Sequence, residues 1–230
     1  HHQGQSRTLT IAQAKALLGQ AFADKQYPLA IQLASQLIAQ QPGNEDARLL
    51  LYRALAATEQ FAQLDQQCGD RLANQPRNLP ALEYKAHALR QLGRDAEALV
   101  LLEKAVALTT SNVRLINTLG TAYKELGLFA KALECFQRAT KIRPEFGKGY
   151  WNRSDLVTDA QAEIKSLETQ IRRLPESSPE APYFYFSLYR AYEKIGAFEQ
   201  AFTALATGNA AKKALLDYRV ENDLAADNNL

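Results

Sequence analysis

Residues 117–144 read NTLGTAYKELGLFAKALECFQRATKIRP, and the pattern of this stretch recurs along the chain with a period of 34 residues. With Val113 as the first position of a block, Leu119, Gly120, Tyr123, Gly127, Phe129, Ala132, Phe136, Ala139 and Pro144 stand at positions 7, 8, 11, 15, 17, 20, 24, 27 and 32. Positions 4, 7 and 11 form one apolar stripe of a first helix, and positions 20, 24 and 27 form the facing stripe of a second. Small residues at positions 8 and 20 let the two backbones approach. Gly127 suits the turn between the helices, and Pro144 ends the second because proline lacks a backbone donor. At the same place in the three earlier blocks stand Thr110, Pro76 and Pro42.

This spacing resembles the tetratricopeptide repeat, a helix-turn-helix unit of 34 residues. The resemblance implies an all-α fold, a right-handed superhelix of stacked pairs, because no pair buries its apolar face alone. Repeats are expected at 11–44, 45–78, 79–112 and 113–146, followed by an irregular helical pair at 147–181 and a returning repeat at 182–215. The block from Ile11 keeps Leu17, Tyr27, Ala30 and Pro42, and the block from Leu79 keeps Leu82, Leu89, Gly93, Ala98, Leu102 and Ala105. The block from Glu45 is looser, and that from Pro182 carries Tyr185, Leu188, Tyr192, Gly196, Phe198, Ala201 and Leu205. In the irregular pair, a first helix through Tyr150, Trp151 and Leu156 is expected to stop near Thr158, where TDAQ reads as a capping box with Thr158 as N-cap. A second helix carries Ile164, Leu167, Ile171 and Leu174. Residues 216–230 are expected to continue as a helix that fades into a polar tail, and residues 1–6, HHQGQS, read as a purification-tag remnant ahead of one superhelix over 7–230.

Composition narrows the function classes. No run approaches the about 18 apolar residues of a membrane-crossing helix. The formal charge is +2 with both signs interleaved, which argues against a nucleic-acid partner. Two cysteines, Cys68 and Cys135, suit a reducing compartment, so the cytoplasm is expected, and both read as buried small hydrophobes. His87 is the only histidine beyond residues 1–6, and no Gly-rich phosphate loop follows a strand pattern. No catalytic residue, metal site or cofactor is therefore expected in this chain, and Gly147-Lys148-Gly149 reads as a joint between repeats.

What remains is a groove. Positions 2, 5, 9 and 12 of each first helix share a face distinct from the core stripe, and they yield Leu49, Arg53, Glu83, His87, Arg90, Arg114, Asn117, Thr121, Lys124, Tyr183, Phe186 and Arg190. On one reading, Arg53, Arg90, Arg114, Lys124 and Arg190 line a basic wall that takes an acidic or C-terminal protein segment, with Asn117 fixing its backbone. On the other, the same charges sit in water and pair locally with Glu83, Glu125 and Glu193. The run PYFYFSLYRAY, 182–192, is apolar nearly all round, so Tyr183, Phe184 and Phe186 need a cover. Either the irregular pair and residues 209–226 supply it, or these rings dock another domain or a second copy in a homodimer.

Residues 148–218 carry a narrower likeness. KGYWNRSDLVT, a helix, a proline-containing break and then YFSLYRAYEKIGAFEQAFTALATGNAAKKALLDY resemble the region that joins repeats to catalytic domain in bacterial tetratricopeptide-repeat sulfotransferases. The matching positions are Tyr150-Trp151 and Gly208-Asn209-Ala210. The resemblance implies a protein- or substrate-recruiting arm whose sulfotransferase domain would begin beyond Leu230, so that this chain would be the N-terminal part of a longer protein. The alternative is a free-standing assembly or regulatory protein.

Overall fold

The computed structural model describes residues 10–175 and 177–215. The expectations for residues 1–6 and 216–230 lie outside them. The described residues are all-α, in twelve helices: α1 Ile11–Ala23, α2 Tyr27–Gln40, α3 Glu45–Ala57, α4 Phe61–Asn74, α5 Leu79–Gln91, α6 Asp95–Leu108, α7 Val113–Glu125, α8 Phe129–Ile142, α9 Gly147–Arg153, α10 Ala160–Ile171, α11 Ala181–Lys194 and α12 Phe198–Leu215. They fall into two compact units, one up to Leu108 and one from Thr109. None of these helices is long and apolar enough to cross a membrane.

Local chemistry repeats with the same period. Asn44, Asn78 and Asn112 precede α3, α5 and α7, and each accepts a hydrogen bond from the backbone N–H three residues on, satisfying a donor the helix start leaves open. The turn inside every helix pair except α9–α10 uses one residue in the left-handed region: Lys25, Glu59, Gly93, Gly127 and Gly196, with φ between 57° and 73°. Glycine adopts this conformation freely, whereas Lys25 and Glu59 hold it against a steric penalty of roughly 1–2 kcal/mol.

In the first unit the core runs through Leu18, Leu37, Tyr52, Leu55, Leu64 and Cys68. Leu17 is not part of it: no described helix precedes α1, and Leu17 is 39% exposed while Leu51, at the same position of the next repeat, is 2% exposed.

In the second unit the small residues mark close approach. A Cβ on Gly120 would lie 2.6 Å from the Phe136 ring, and one on Gly147 would lie 2.7 Å from the Glu180 carbonyl oxygen. α11 packs against α9, α10 and α12. The irregular pair departs from expectation at its joint. α9 ends at Arg153, leaving Leu156 in the turn, and Asp159 rather than Thr158 caps α10, accepting from the Ala162 N–H at 3.0 Å. The carboxylate is the better acceptor for a helix start, and it stands one residue closer to the first helical turn.

Candidate functional site

The groove residues of the first unit do not form a free wall. Arg53 is exposed and stacks over the Phe22 ring at 4.8 Å. His87 is half-buried with its ring edge-on to Phe61 at 5.6 Å, so it packs a joint between helices α4 and α5 rather than facing a ligand. Burial first, and the neighbouring Arg90 charge second, push its imidazole below the ordinary range. Arg90 is itself half-buried.

In the second unit the sequence-derived residues do converge, on a turn that helical phase could not place. The α9–α10 turn brings Asp155 between two cations: its carboxylate accepts from Lys124 Nζ at 2.9 Å and from the Arg190 guanidinium. Lys124 Nζ also reaches the Asn152 carbonyl at 3.3 Å, and Arg190 donates to Ser154 Oγ at 3.3 Å. Lys194 Nζ donates to the Ser154 and Val157 carbonyls, each at 2.7 Å. The Arg190 guanidinium lies 4.1 Å from the centroid of the Trp151 ring, and the Trp151 ring in turn meets Phe186 edge-on. Two cations thus hold one carboxylate that is 47% exposed, and a third, Lys194, is bound by main-chain carbonyls of the same turn. The strain shows in the amines: burial first and the Arg190 charge second lower the Lys124 pKa, and burial lowers that of Lys194, against the pull of Glu163.

The remaining predicted residues separate. Asn117 is buried, and its Oδ1 accepts from Asn152 Nδ2 at 3.0 Å, so it orients the turn rather than a ligand's backbone. Thr121 donates to the Asn117 carbonyl, and Arg114 stays exposed at the start of α7. Phe184 is a correction to the docking surface: it is fully buried, with its ring tilted against that of Tyr150 at 5.0 Å. Tyr183 and Phe186 are half-buried, and the Phe186 ring closes on Gly208, where a Cβ would meet it at 2.8 Å. Asp155, Asn152 and Lys194 were not legible from helix phase; the available signal was a cluster of short polar residues, NRSD, where the repeat pattern breaks.

Among the described residues no three His, Cys, Asp or Glu side chains gather as a metal site. The thiols are not poised for attack. Burial pushes the Cys68 thiol up to about 12 and the Cys135 thiol up to about 11, from an ordinary 9.0, although Cys135 is only half-buried. In the native protein at about pH 8, iodoacetamide is expected to modify both far more slowly than after urea unfolding, with Cys135 first. Rapid titration of both thiols without denaturant would contradict this. Burial likewise pushes the Tyr52 hydroxyl up to about 12. Both Tyr52 and Cys68 are neutral in the fold, so their stabilisation of the first unit is complete below 10.0 and 9.0 respectively and is lost as pH climbs toward about 12.

Comparison with known proteins bears on the fold and on one repeat. The tetratricopeptide repeat family matches residues 113–146. Protein FlbA of Caulobacter vibrioides is 34% identical over 79 residues, a stretch that is 34% of this chain and 13% of that relative, so the match spans about an eighth of its length. The crystal structure of MamA superimposes with a TM-score of 0.53 at 16% identity, over 87% of this chain and 97% of that one. MamA from residue 41 onward, from Desulfovibrio magneticus RS-1, does so with a TM-score of 0.55 at 15% identity, over 90% and 97%. These likenesses establish shared architecture, and the sulfotransferase resemblance gains no support from them. Residues 113–146 are a tetratricopeptide repeat, set in an all-α chain built on the fold of solved tetratricopeptide-type proteins.

Proposed function

We propose that the chain is a non-catalytic protein-binding scaffold whose second unit receives an acidic peptide segment at the cations around Asp155. What supports this reading is that a carboxylate from the chain's own turn already sits between Lys124 and Arg190, two cations to one anion, while Lys194 is held by the main chain of the same turn. An incoming Glu or Asp side chain, or a C-terminal carboxylate, can take the same donors by charge-assisted hydrogen bonds. It would displace Asp155 or share the cluster with it, and either relieves the mutual repulsion of Lys124 and Arg190.

Trp151 is the chain's sole tryptophan and lies under Arg190, so its fluorescence reports the site directly. An oligoglutamate peptide is expected to change that emission saturably, an oligoglutamine peptide is not, and added salt should weaken the effect. Asp155→Asn is expected to tighten binding severalfold by freeing the donors, and Lys124→Gln with Arg190→Gln to abolish it. Equal responses to both peptides, or an unchanged affinity in the double variant, would sink the reading.

The residues that suggested an attached sulfotransferase domain have packing roles here: Tyr150 packs against Phe184, Trp151 carries Arg190, and Gly208 admits Phe186. An attached catalytic domain is accordingly a proposal of its own. A reading frame continuing past Leu230 into a Gly-rich loop with basic and hydroxyl residues would support it, and a stop codon would leave a free-standing scaffold.

A further inference from the structure

Two phenylalanines one helical turn apart, Phe198 and Phe202 of α12, are 72% and 73% exposed. Their places in the repeat explain what such a face is for. They stand at positions 17 and 21 of the block from Pro182, and the same positions in the block from Glu45 are Phe61 and Asp65 on α4. There the two residues contact the first helix of the following repeat: Phe61 meets His87 edge-on, and Asp65 pairs with Lys85. His87 and Lys85 stand at positions 9 and 7 of the block from Leu79. At the α4–α5 joint, positions 17 and 21 of the second helix thus form the stacking face for positions 9 and 7 of the next first helix.

No described helix follows α12 to take that face. The mirror-image situation exists at α1, the first described helix, whose positions 7 and 9 are Leu17 and Gly19. Leu17 is exposed where its equivalent Leu51 is buried, and the space over Gly19 is open, with nothing within 4 Å of a Cβ built there. The chemistry of the two faces is complementary. At the α4–α5 joint, position 21 and position 7 are an aspartate and a lysine; at the two outer faces they are Phe202 and Leu17, an apolar pair. At the joint, position 17 and position 9 are two rings edge to edge; at the outer faces they are Phe198 and Gly19, a large ring and a vacant seat.

We propose that α12 of one copy docks on α1 of a second copy, head to tail, with Phe202 against Leu17 and Phe198 over Gly19, repeating the register of the α4–α5 joint. The docking is independent of the peptide-binding reading, since none of these residues belongs to the cation cluster. Because the two surfaces differ, each contact leaves one α12 face and one α1 face unused, and association continues past the dimer into a ring or an open chain.

Sedimentation velocity of the intact chain over rising concentration tests this. The wild type is expected to grow in mass beyond the dimer. Leu17→Lys alone, or Phe202→Asp alone, is expected to remain monomeric at the same concentrations, with unchanged helical circular dichroism because both side chains are exposed. Leu17→Lys and Phe202→Asp together in one chain should recover association at low salt and lose it at high salt, because they recreate the Lys85–Asp65 pair at the new joint. A wild type that stays monomeric or stops at a dimer would overturn the proposal. Single variants that associate like the wild type, or a double variant that fails to recover, would overturn the register.

Discussion

Glu163→Ala is expected to destabilise the second unit by about 3–5 kcal/mol, because it strands a cation in the core. Arg153 and Glu163 are each roughly nine-tenths buried and face each other in a two-point bond, with Nε to Oε1 at 3.0 Å and Nη2 to Oε2 at 2.8 Å. The guanidinium has further partners in Thr140 Oγ1 at 2.9 Å and the Tyr150 ring at 4.3 Å. Those are too few to hold a buried charge once the carboxylate is gone. The pair itself is another matter: desolvation of two ions offsets most of their attraction, so Arg153→Met with Glu163→Leu is expected to cost less than Glu163→Ala alone. Urea unfolding followed by Trp151 emission reads this unit, since Trp151 lies on α9 two residues before Arg153. Equal losses in the single and double variants would show that the two residues act by shape rather than by charge.

How much of this could be read in the sequence depends on whether the physics involved is periodic. Helix starts at Glu45, Leu79 and Val113 are separated by 34 residues, and so are the asparagines that cap them, because the same orphan donors recur at each start. The turn glycines Gly93, Gly127 and Gly196 announce a left-handed residue, whereas Lys25 and Glu59 take the same conformation without any local signal. Lys124 and Arg190 lie on α7 and α11, and their partner is out of reach of helix phase, since Asp155 belongs to a turn where the period fails. Phase reports neighbours along a helix and says nothing of a loop that folds back between two of them. Exposure at Leu17 was missed for a related reason: position 7 is core only where a preceding helix covers it.

Phe184 and Phe202 illustrate the same limit and carry opposite expectations. Both are phenylalanines in aromatic or apolar runs near the end of the described chain, and in sequence Phe184 reads, with Tyr183 and Phe186, as a ring that needs a cover. In the structure Phe184 is fully enclosed between the Tyr150 ring at 5.0 Å and the α9 backbone, where a Cβ on Gly147 would already lie 2.9 Å from its Cδ2. Phe184→Ala removes the ring and leaves a cavity that neighbouring Leu167 and Leu188 cannot fill without moving two helices. Its expected cost is about 3–5 kcal/mol, the sum of lost transfer energy and cavity. Phe202→Ala removes a ring that is mostly in water, and in the monomer it is expected to change stability by no more than about 0.5 kcal/mol. The pair of urea titrations, run dilute enough to keep the protein monomeric, separates a core ring from a docking ring. A loss at Phe202 comparable to that at Phe184 would mean that the α12 face is already covered within a single chain, and the head-to-tail joint would have no free surface to form on.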